Sequence, residues 1–492
     1  MPKCSNHLGS RGDNSDRCSS FAQIVGIARK SFLKALQTIP VIVLLIVFLL
    51  GDEILSSFPS STGYLSREVV LVLNDLGTQR MIFTFLGIYC LVFFFLQSRT
   101  KSVFWKVSSP SLWVGCLLSV NMISYAFGYL VSTPALMLQF GIILGRGIGV
   151  CAIWSKSGQK SLSLLIVYLL VALQALASVW KTNVKHIFEY RDHLRWAGPW
   201  DNPNVYGLLL GTGMALAAGG AVSSLEFRVL SSSGNRNWKS GIRECGIPFL
   251  CLLAAGLMGR GLFHSYSRGA WVAMACGLAY LAVRWYRAFR LRQAKARQVY
   301  VSWPSINWLP LSVVLLSLAI LLFWHFRKTE WHPARRAFSV GNQNDFSWRN
   351  RIAAWQGTLQ IMAKYPWLGA GWNQPEPLFE HYYLPPKLNE SASIEMNDYL
   401  MLGATLGLPA LFCFGAYLWL CLTQKSEIEV DWIKTACRAG AIVLAVGFWF
   451  DGGLFKLPTA STFWILLELG RANEQKVTKA METPLKTVQA GV

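Results

Sequence analysis

Charge is what this 492-residue chain has little of. Asp, Glu, Lys and Arg make up 14% of it, against about 25% in a soluble globular protein. Acids are the scarcer sign, 25 against 46 bases, for a formal net charge of +21. A soluble domain with an ordinary charged surface is excluded. The chain has no internal repeat and no separate soluble domain. The first apolar stretch has no small-residue cleavage site, so it reads as a retained helix rather than a secretory signal. Cysteine is missing where a disulfide framework would need it. The eleven Cys lie in the first polar tail or in or beside apolar stretches, an odd number with no external pair. Small apolar packing between helices covers nearly all of them. Disorder is excluded from the opposite direction, by 21 Trp, 28 Phe and 16 Tyr.

What the chain does have is apolar length. Hydrophobic residues make up 53% of it, gathered into stretches near the roughly 20 residues that a membrane-spanning helix needs. The candidates are 34–51, 81–97, 111–131, 134–154, 161–180, 204–222, 245–263, 269–284, 308–326, 400–422, 435–450 and 457–470. Those after 269, 435 and 457 are short, and Ser132, Thr133 and Pro134 leave room only for a tight hairpin. The expected fold class is therefore all-α, a polytopic membrane helix bundle of about twelve transmembrane helices. Its organisation is a polar tail over 1–33, nine spans over 34–326, one long loop over 327–399 containing short helices, three spans over 400–470 and a second tail over 471–492.

Basic residues orient the bundle, because cytoplasmic loops retain Lys and Arg. With the N-terminus inside, 27 of the 46 Lys and Arg fall in inside segments, counting Lys34 at the edge of the first stretch, and 16 in outside ones, half of these in the 327–399 loop. Long loops translocate largely regardless of charge. Both termini are expected to be cytoplasmic, and the positive charge is mostly a topology signal. The run Arg284, Arg287, Arg290, Arg292, Lys295 and Arg297 directly follows a span. That placement suits anionic membrane lipids and not nucleic acid. Arg146 lies well inside the fourth span. It is either a functional intramembrane charge or a side chain snorkelling to the cytoplasmic face, and snorkelling is the preferred reading.

Three outside segments concentrate polar groups at one membrane face. The first runs from Tyr190 through Arg191, Arg195 and Gly198 to Asn202, Pro203 and Asn204. A Pro flanked by Asn suits a helix start, whose N–H groups favour an anion; a capped interfacial turn is the competing reading. The second is the short turn around His264, Ser267, Arg268 and Gly269, with Arg260 about one turn earlier. Two arginines there either anchor at the surface or clamp a diphosphate, whose oxygens match guanidinium bidentately. The third lies in the long loop. Arg349, Asn350 and Arg351 open a stretch with Ile352, Trp355, Leu359 and Met362 at amphipathic spacing. It ends at Pro366, Gly369 and Gly371, and Glu395, Asn397 and Asp398 stand at the next span. Trp355, Trp367, Trp372, Tyr382 and Tyr383 would suit sugar faces or an interfacial aromatic belt.

Together these residues resemble the O-antigen ligase and polymerase superfamily. The pattern is Arg195-x-x-Gly198, Asn202-Pro203-Asn204, Ser267-Arg268-Gly269-Ala270, Arg351-x-x-x-Trp355, Pro366-x-x-Gly369-x-Gly371, and Asn397 with Gly407 ten residues on. The resemblance spans about residues 190–410. It implies a metal-independent, cofactor-free membrane glycosyltransferase of the GT-C type, in the bacterial inner membrane. Such an enzyme moves a glycan from undecaprenyl diphosphate to an acceptor, lipid A-core or another glycan, at the periplasmic face. Arg195 and Arg268 become catalytic diphosphate contacts, since fixed positive charge stabilises the leaving group. Arg191, Arg260, Arg351, Asn202, Asn204, Trp355 and Asn397 become substrate-binding candidates.

The sequence departs from the family at one position. Met396 stands where the family usually has a His, a candidate for the base that takes the acceptor proton. Glu395 or Asp398 would substitute, or His381 from earlier in the loop; a polar helix cap is the plainer reading of both carboxylates. A lipid-linked glycan transporter or flippase without catalysis is the alternative function, supported only by Arg146, and an inactive relative is a third.

Overall fold

The computed structural model describes residues 110–126, 133–154, 159–180, 189–190, 193–200, 202–231, 238–297, 346–384, 397–423 and 430–471. The expected spans at 34–51, 81–97 and 308–326, both tails, and Arg191, Glu395 and Met396 lie outside these residues. The described chain is helical apart from a two-residue antiparallel pair, Glu189–Tyr190 with His193–Leu194.

Three helices precede that pair: α1 (Pro110–Ala126), α2 (Thr133–Trp154) and α3 (Gln159–Ser178). Then follow α4 (Pro203–Ser231), α5 (Trp238–Ser265) and α6 (Arg268–Arg297). The long loop contributes α7 (Phe346–Lys364) and the short α8 (Pro375–Leu378), which runs into a π-helical turn at Phe379–Tyr383. Three more helices end the bundle: α9 (Asp398–Thr423), α10 (Trp432–Phe450) and α11 (Leu457–Gly470). Four stretches are long and apolar enough to cross a membrane: Pro203–Ser224, Gly246–Ser265, Asp398–Thr423 and Trp432–Phe450. Pro110–Ser124, Met137–Arg146 and Ser163–Ser178 are shorter apolar helices. The described residues thus give a membrane helix bundle with fewer full-length spans than the twelve expected from hydropathy.

Small residues set how closely the helices approach, as they must where lipid gives no hydrophobic drive to association. A methyl at Gly219 of α4 would lie 2.4 Å from Ala436 Cβ of α10, and one at Gly277 of α6 would lie 2.4 Å from Val443. Gly145 of α2 stands against the backbone of Trp464 in α11. Every residue of α11 from Pro458 to Gly470 is buried, so it is the centre of the bundle.

Three expectations need correction. Arg146 does not snorkel. It is 5% exposed and its Nη1 lies 2.9 Å from Glu468 Oε1 in α11. Glu468 also accepts from Tyr417 Oη at 2.6 Å and Arg471 Nη1 at 2.6 Å, which keeps the charge satisfied inside the bundle. The basic run after residue 284 is not a loop, since α6 continues through it to Arg297. The amphipathic helix of the long loop forms, with its buried face turned so that only Met362 of the expected stripe is fully inside. Ala353, Ala354, Gly357, Thr358, Ile361 and Met362 are buried, whereas Ile352 is 37% and Leu359 51% exposed. Close approach decided the middle turns: a methyl at Gly357 would lie 2.3 Å from the Phe379 ring, so small residues take the inner face there, and Ile361 and Met362 complete it further on.

Candidate functional site

The expected polar segments meet at one end of the bundle. Pro203 opens α4 as its sequence suggested, with Asn202 as cap: Asn202 Oδ1 accepts from the backbone N–H of Asn204 at 2.9 Å and Val205 at 3.3 Å. Arg195 ties that helix start to the α5–α6 turn, donating from Nε to Ser265 O at 2.9 Å and from Nη2 to Asn204 Oδ1 at 2.8 Å. These two bonds fix the plane of the guanidinium. Trp196 N–H donates to His264 O at 3.0 Å, and the Trp196 and His264 rings stack at 4.4 Å. Arg260, exposed on α5, lies over the Trp196 ring at 5.5 Å.

The α5–α6 connection is only Tyr266 and Ser267. Tyr266 makes it by adopting a left-handed conformation, φ 51°, which is rare for a bulky residue and concentrates at functional sites. Ser267 Oγ then accepts from Ala270 N–H at 3.3 Å, capping α6, and donates to Asp451 Oδ2 at 3.0 Å. Arg268 is the first residue of α6, half-buried beside this cap.

Asp451 is the residue that sequence reading missed. It follows α10, its side chain is 2% exposed, and its Oδ1 accepts from Arg351 Nη2 at 2.8 Å. Arg351 also donates from Nε to Phe450 O at 3.1 Å, placing a cation at the negative end of α10. A methyl at Gly269 would lie 2.3 Å from Asp451 Oδ2, so the packing requires glycine there. One chain of hydrogen bonds therefore runs Asn204–Arg195–Ser265 on one side of the turn and Ser267–Asp451–Arg351 on the other. The signal available in sequence was a lone carboxylate directly after a span, ahead of Gly452 and Gly453.

Asn397 and Asp398 border the same place. Asn397 Oδ1 caps α9, accepting from Tyr399 and Leu400 N–H groups at 3.1 Å each. Its Nδ2 is buried with no hydrogen-bond partner among the described residues, as are Asn350 Oδ1 and Trp355 Nε1. Orphaned buried polar atoms are uncommon and mark places where water or a ligand completes the bonding. The Asp398 carboxylate accepts from Gly453 N–H at 2.6 Å and Leu454 N–H at 2.7 Å, so it clamps the α10–α11 connection instead of capping its own helix. Trp355 meets Trp449 edge-on at 6.0 Å, and Tyr399 lies 5.8 Å from the same ring.

Other expected residues are placed elsewhere. Trp372 is 7% exposed and donates from Nε1 to Asn121 Oδ1 at 3.0 Å, which leaves it no sugar-facing surface. His381 is exposed on the π-turn, edge-on to Tyr382 at 4.5 Å.

A family model described as O-antigen ligase matches residues 253–415. Over that third of its length the chain is similar to the O-antigen ligase family. The match takes in the α5–α6 turn, α7 and the start of α9, hence Arg260, Ser267, Arg268, Arg351, Trp355, Asn397 and Asp398. Arg195, Asn202 and Asn204 precede the O-antigen ligase match, and Asp451 follows it, yet the hydrogen-bond chain joins them to it. No curated protein matches the chain. Over those residues the chain resembles membrane proteins of the O-antigen ligase and polymerase kind.

Proposed function

We propose that this protein is a glycosyltransferase of the bacterial inner membrane. It moves a glycan from a polyprenyl diphosphate, such as undecaprenyl diphosphate, to an acceptor hydroxyl at the periplasmic face. The observation that carries the reading is the convergence of Arg195, the Ser267–Arg268 turn and Arg351 through Asp451. A transfer of this kind needs fixed positive charge at the leaving diphosphate. It also needs hydrogen-bonding groups for the sugars and a base on the acceptor side.

Arg195 and Arg268 take the diphosphate, with Arg260 and Arg351 beside them, Arg191 a further binding candidate, and the Asn202 and Asn204 side chains at the capped start of α4. Arg351 works from its anchorage on Asp451, which keeps α7 over the site. Asn397 Nδ2, Asn350 Oδ1 and Trp355 contact the glycan. The acceptor oxygen bonds to the anomeric carbon as the carbon–oxygen bond to diphosphate breaks, and the acceptor proton passes to a carboxylate. Asp398 is already bound to two backbone N–H groups, so in this reading it positions the site and Glu395 is the base. The transporter alternative rested on a lone charge within a span, and Arg146 is not alone.

Purified protein given a diphosphate-linked glycan and an acceptor tests this. Glycosidic product that disappears in Arg195→Ala and Arg268→Ala is expected; activity unchanged by both substitutions overturns the assignment. In a deletion strain, capped single repeats identify a polymerase, and full-length chains left on the lipid carrier identify a ligase.

A further inference from the structure

The helix α9 is broken where another segment is inserted. Gly407 has φ 83° and ψ 171°, and Pro409 follows two residues later. In an unbroken helix the carbonyl of Ala404 would accept from residue 408 and that of Thr405 from residue 409. Here Leu408 N–H turns away to Pro366 O at 2.8 Å, and Pro409 has no N–H to give. The two stranded carbonyls are taken by Ala370 N–H at 2.7 Å and Gly371 N–H at 3.0 Å. The segment from Pro366 to Gly371 thus supplies what the break removed. The fit is close: a methyl at Gly407 would lie 2.3 Å from Trp367 O, and one at Gly369 would lie 2.3 Å from the Thr405 carbonyl.

Where this happens matters. The 26 residues of α9 exceed the roughly 20 that cross a hydrocarbon core of about 30 Å. With Thr423 at one boundary, the other falls near Ala404. Broken backbone at that depth persists only where protein satisfies it, and the inserted segment does so. It also turns two large apolar side chains outward, Trp367 at 76% and Leu368 at 61% exposure. They continue the exposed apolar side of α9, formed by Leu408, Phe412 and Trp419. Beside them Lys364 lies 5.5 Å from the Tyr365 ring and 5.7 Å from Tyr382, a cation among amphipathic rings of the kind found at headgroup level.

We propose that the segment 366–371 is a membrane anchor that sets Trp367 and Leu368 into the edge of the bilayer, with Lys364 and Tyr382 at the lipid phosphates. The occupant of this surface is lipid, because the surface is continuous with the apolar side of a membrane-length helix. The anchor directly follows α7, which carries Arg351. It thereby holds that arm at the height where the headgroup of any lipid-borne substrate would sit. The anchor rests on the membrane reading and not on glycan transfer.

The test uses full-length protein in phospholipid nanodiscs, with p-benzoylphenylalanine replacing Leu368 and, separately, the lipid-facing Phe412. Both side chains are exposed, so the bulkier residue is accommodated without repacking. Irradiation followed by mass spectrometry should give phospholipid adducts at 368 in a yield within about threefold of that at 412. Adducts at 412 with a lower yield at 368 overturn the anchor. The readout needs neither donor nor acceptor, so its failure is separate from failure of the proposed activity.

Discussion

Two of the buried carboxylates among the described residues, one near each end of the bundle, are paired with arginine, and they are built differently. Glu468 is enclosed by Arg146, Tyr417 and Arg471 from neighbouring helices, with Arg146 and Glu468 side chains 6% and 3% exposed. Asp451 is held by a turn and a loop helix, through Ser267 and Arg351, and the Arg351 side chain remains 14% exposed. Each cluster has a buried polar atom without a hydrogen-bond partner among the described residues, Arg146 Nη2 in the first and Asn350 Oδ1, next in sequence to Arg351, by the second. A charge sealed among helices holds them in register, whereas a charge held by a turn and a loop helix, on a partly exposed arginine, positions groups for something that arrives. The same chemical pair does different work because different kinds of element supply the partners.

The strongest way to break this comparison is to open the sealed end. Arg146→Ala leaves Glu468 short of a partner and should cost about 3–5 kcal/mol of stability, read as a lower unfolding midpoint in detergent. The protein that stays folded should keep its rate within about twofold, since distant sites act independently. At the other end, Arg268→Ala should lower the transfer rate by about 10²–10³, the scale set by losing one stabilising donor at a developing charge. Its unfolding midpoint should fall by less than that of Arg146→Ala. A rate loss in Arg146→Ala matching that in Arg268→Ala would erase the distinction between the ends.

Two smaller effects sharpen it. Gly407→Ala forces a side chain into a left-handed position against the Trp367 carbonyl and should cost about 1–3 kcal/mol. Hydrogen exchange at Ala370 and Gly371 should rise with it, because their acceptors belong to the same kink. Asn202→Ala removes the α4 cap and should cost about 1 kcal/mol. It also frees the helix start to which Arg195 is tied through Asn204. The checkable result is a modest drop in unfolding midpoint together with a weakened KM for the diphosphate donor, with kcat less affected.

Much of this organisation was legible in the residues. Pro203 between two asparagines marked the start of α4, and the turn at Ser267 and Arg268 fell where its polar residues interrupt apolar runs. The spacing in the long loop announced α7. Its buried face was only partly legible, because large apolar side chains at helical spacing suggest a buried stripe, whereas close packing on Phe379 selected Gly357 and its small neighbours in the middle turns and left Ile352 and Leu359 outside. Asp451 was illegible for a related reason. A single acid after a span carries no local pattern, and its partners Ser267 and Arg351 lie 184 and 100 residues away.

The sequence by itself determined that this is a membrane helix bundle, and which segments carry polar groups. Both follow from what each residue costs in lipid, a property it keeps wherever the chain goes. Tertiary structure alone decided that Arg146 is paired and that α9 breaks to admit a loop segment. It also decided that Asp451 joins three distant segments into one site. Those outcomes depend on which hydrogen-bonding groups face each other across helices, and that is fixed only when the helices pack.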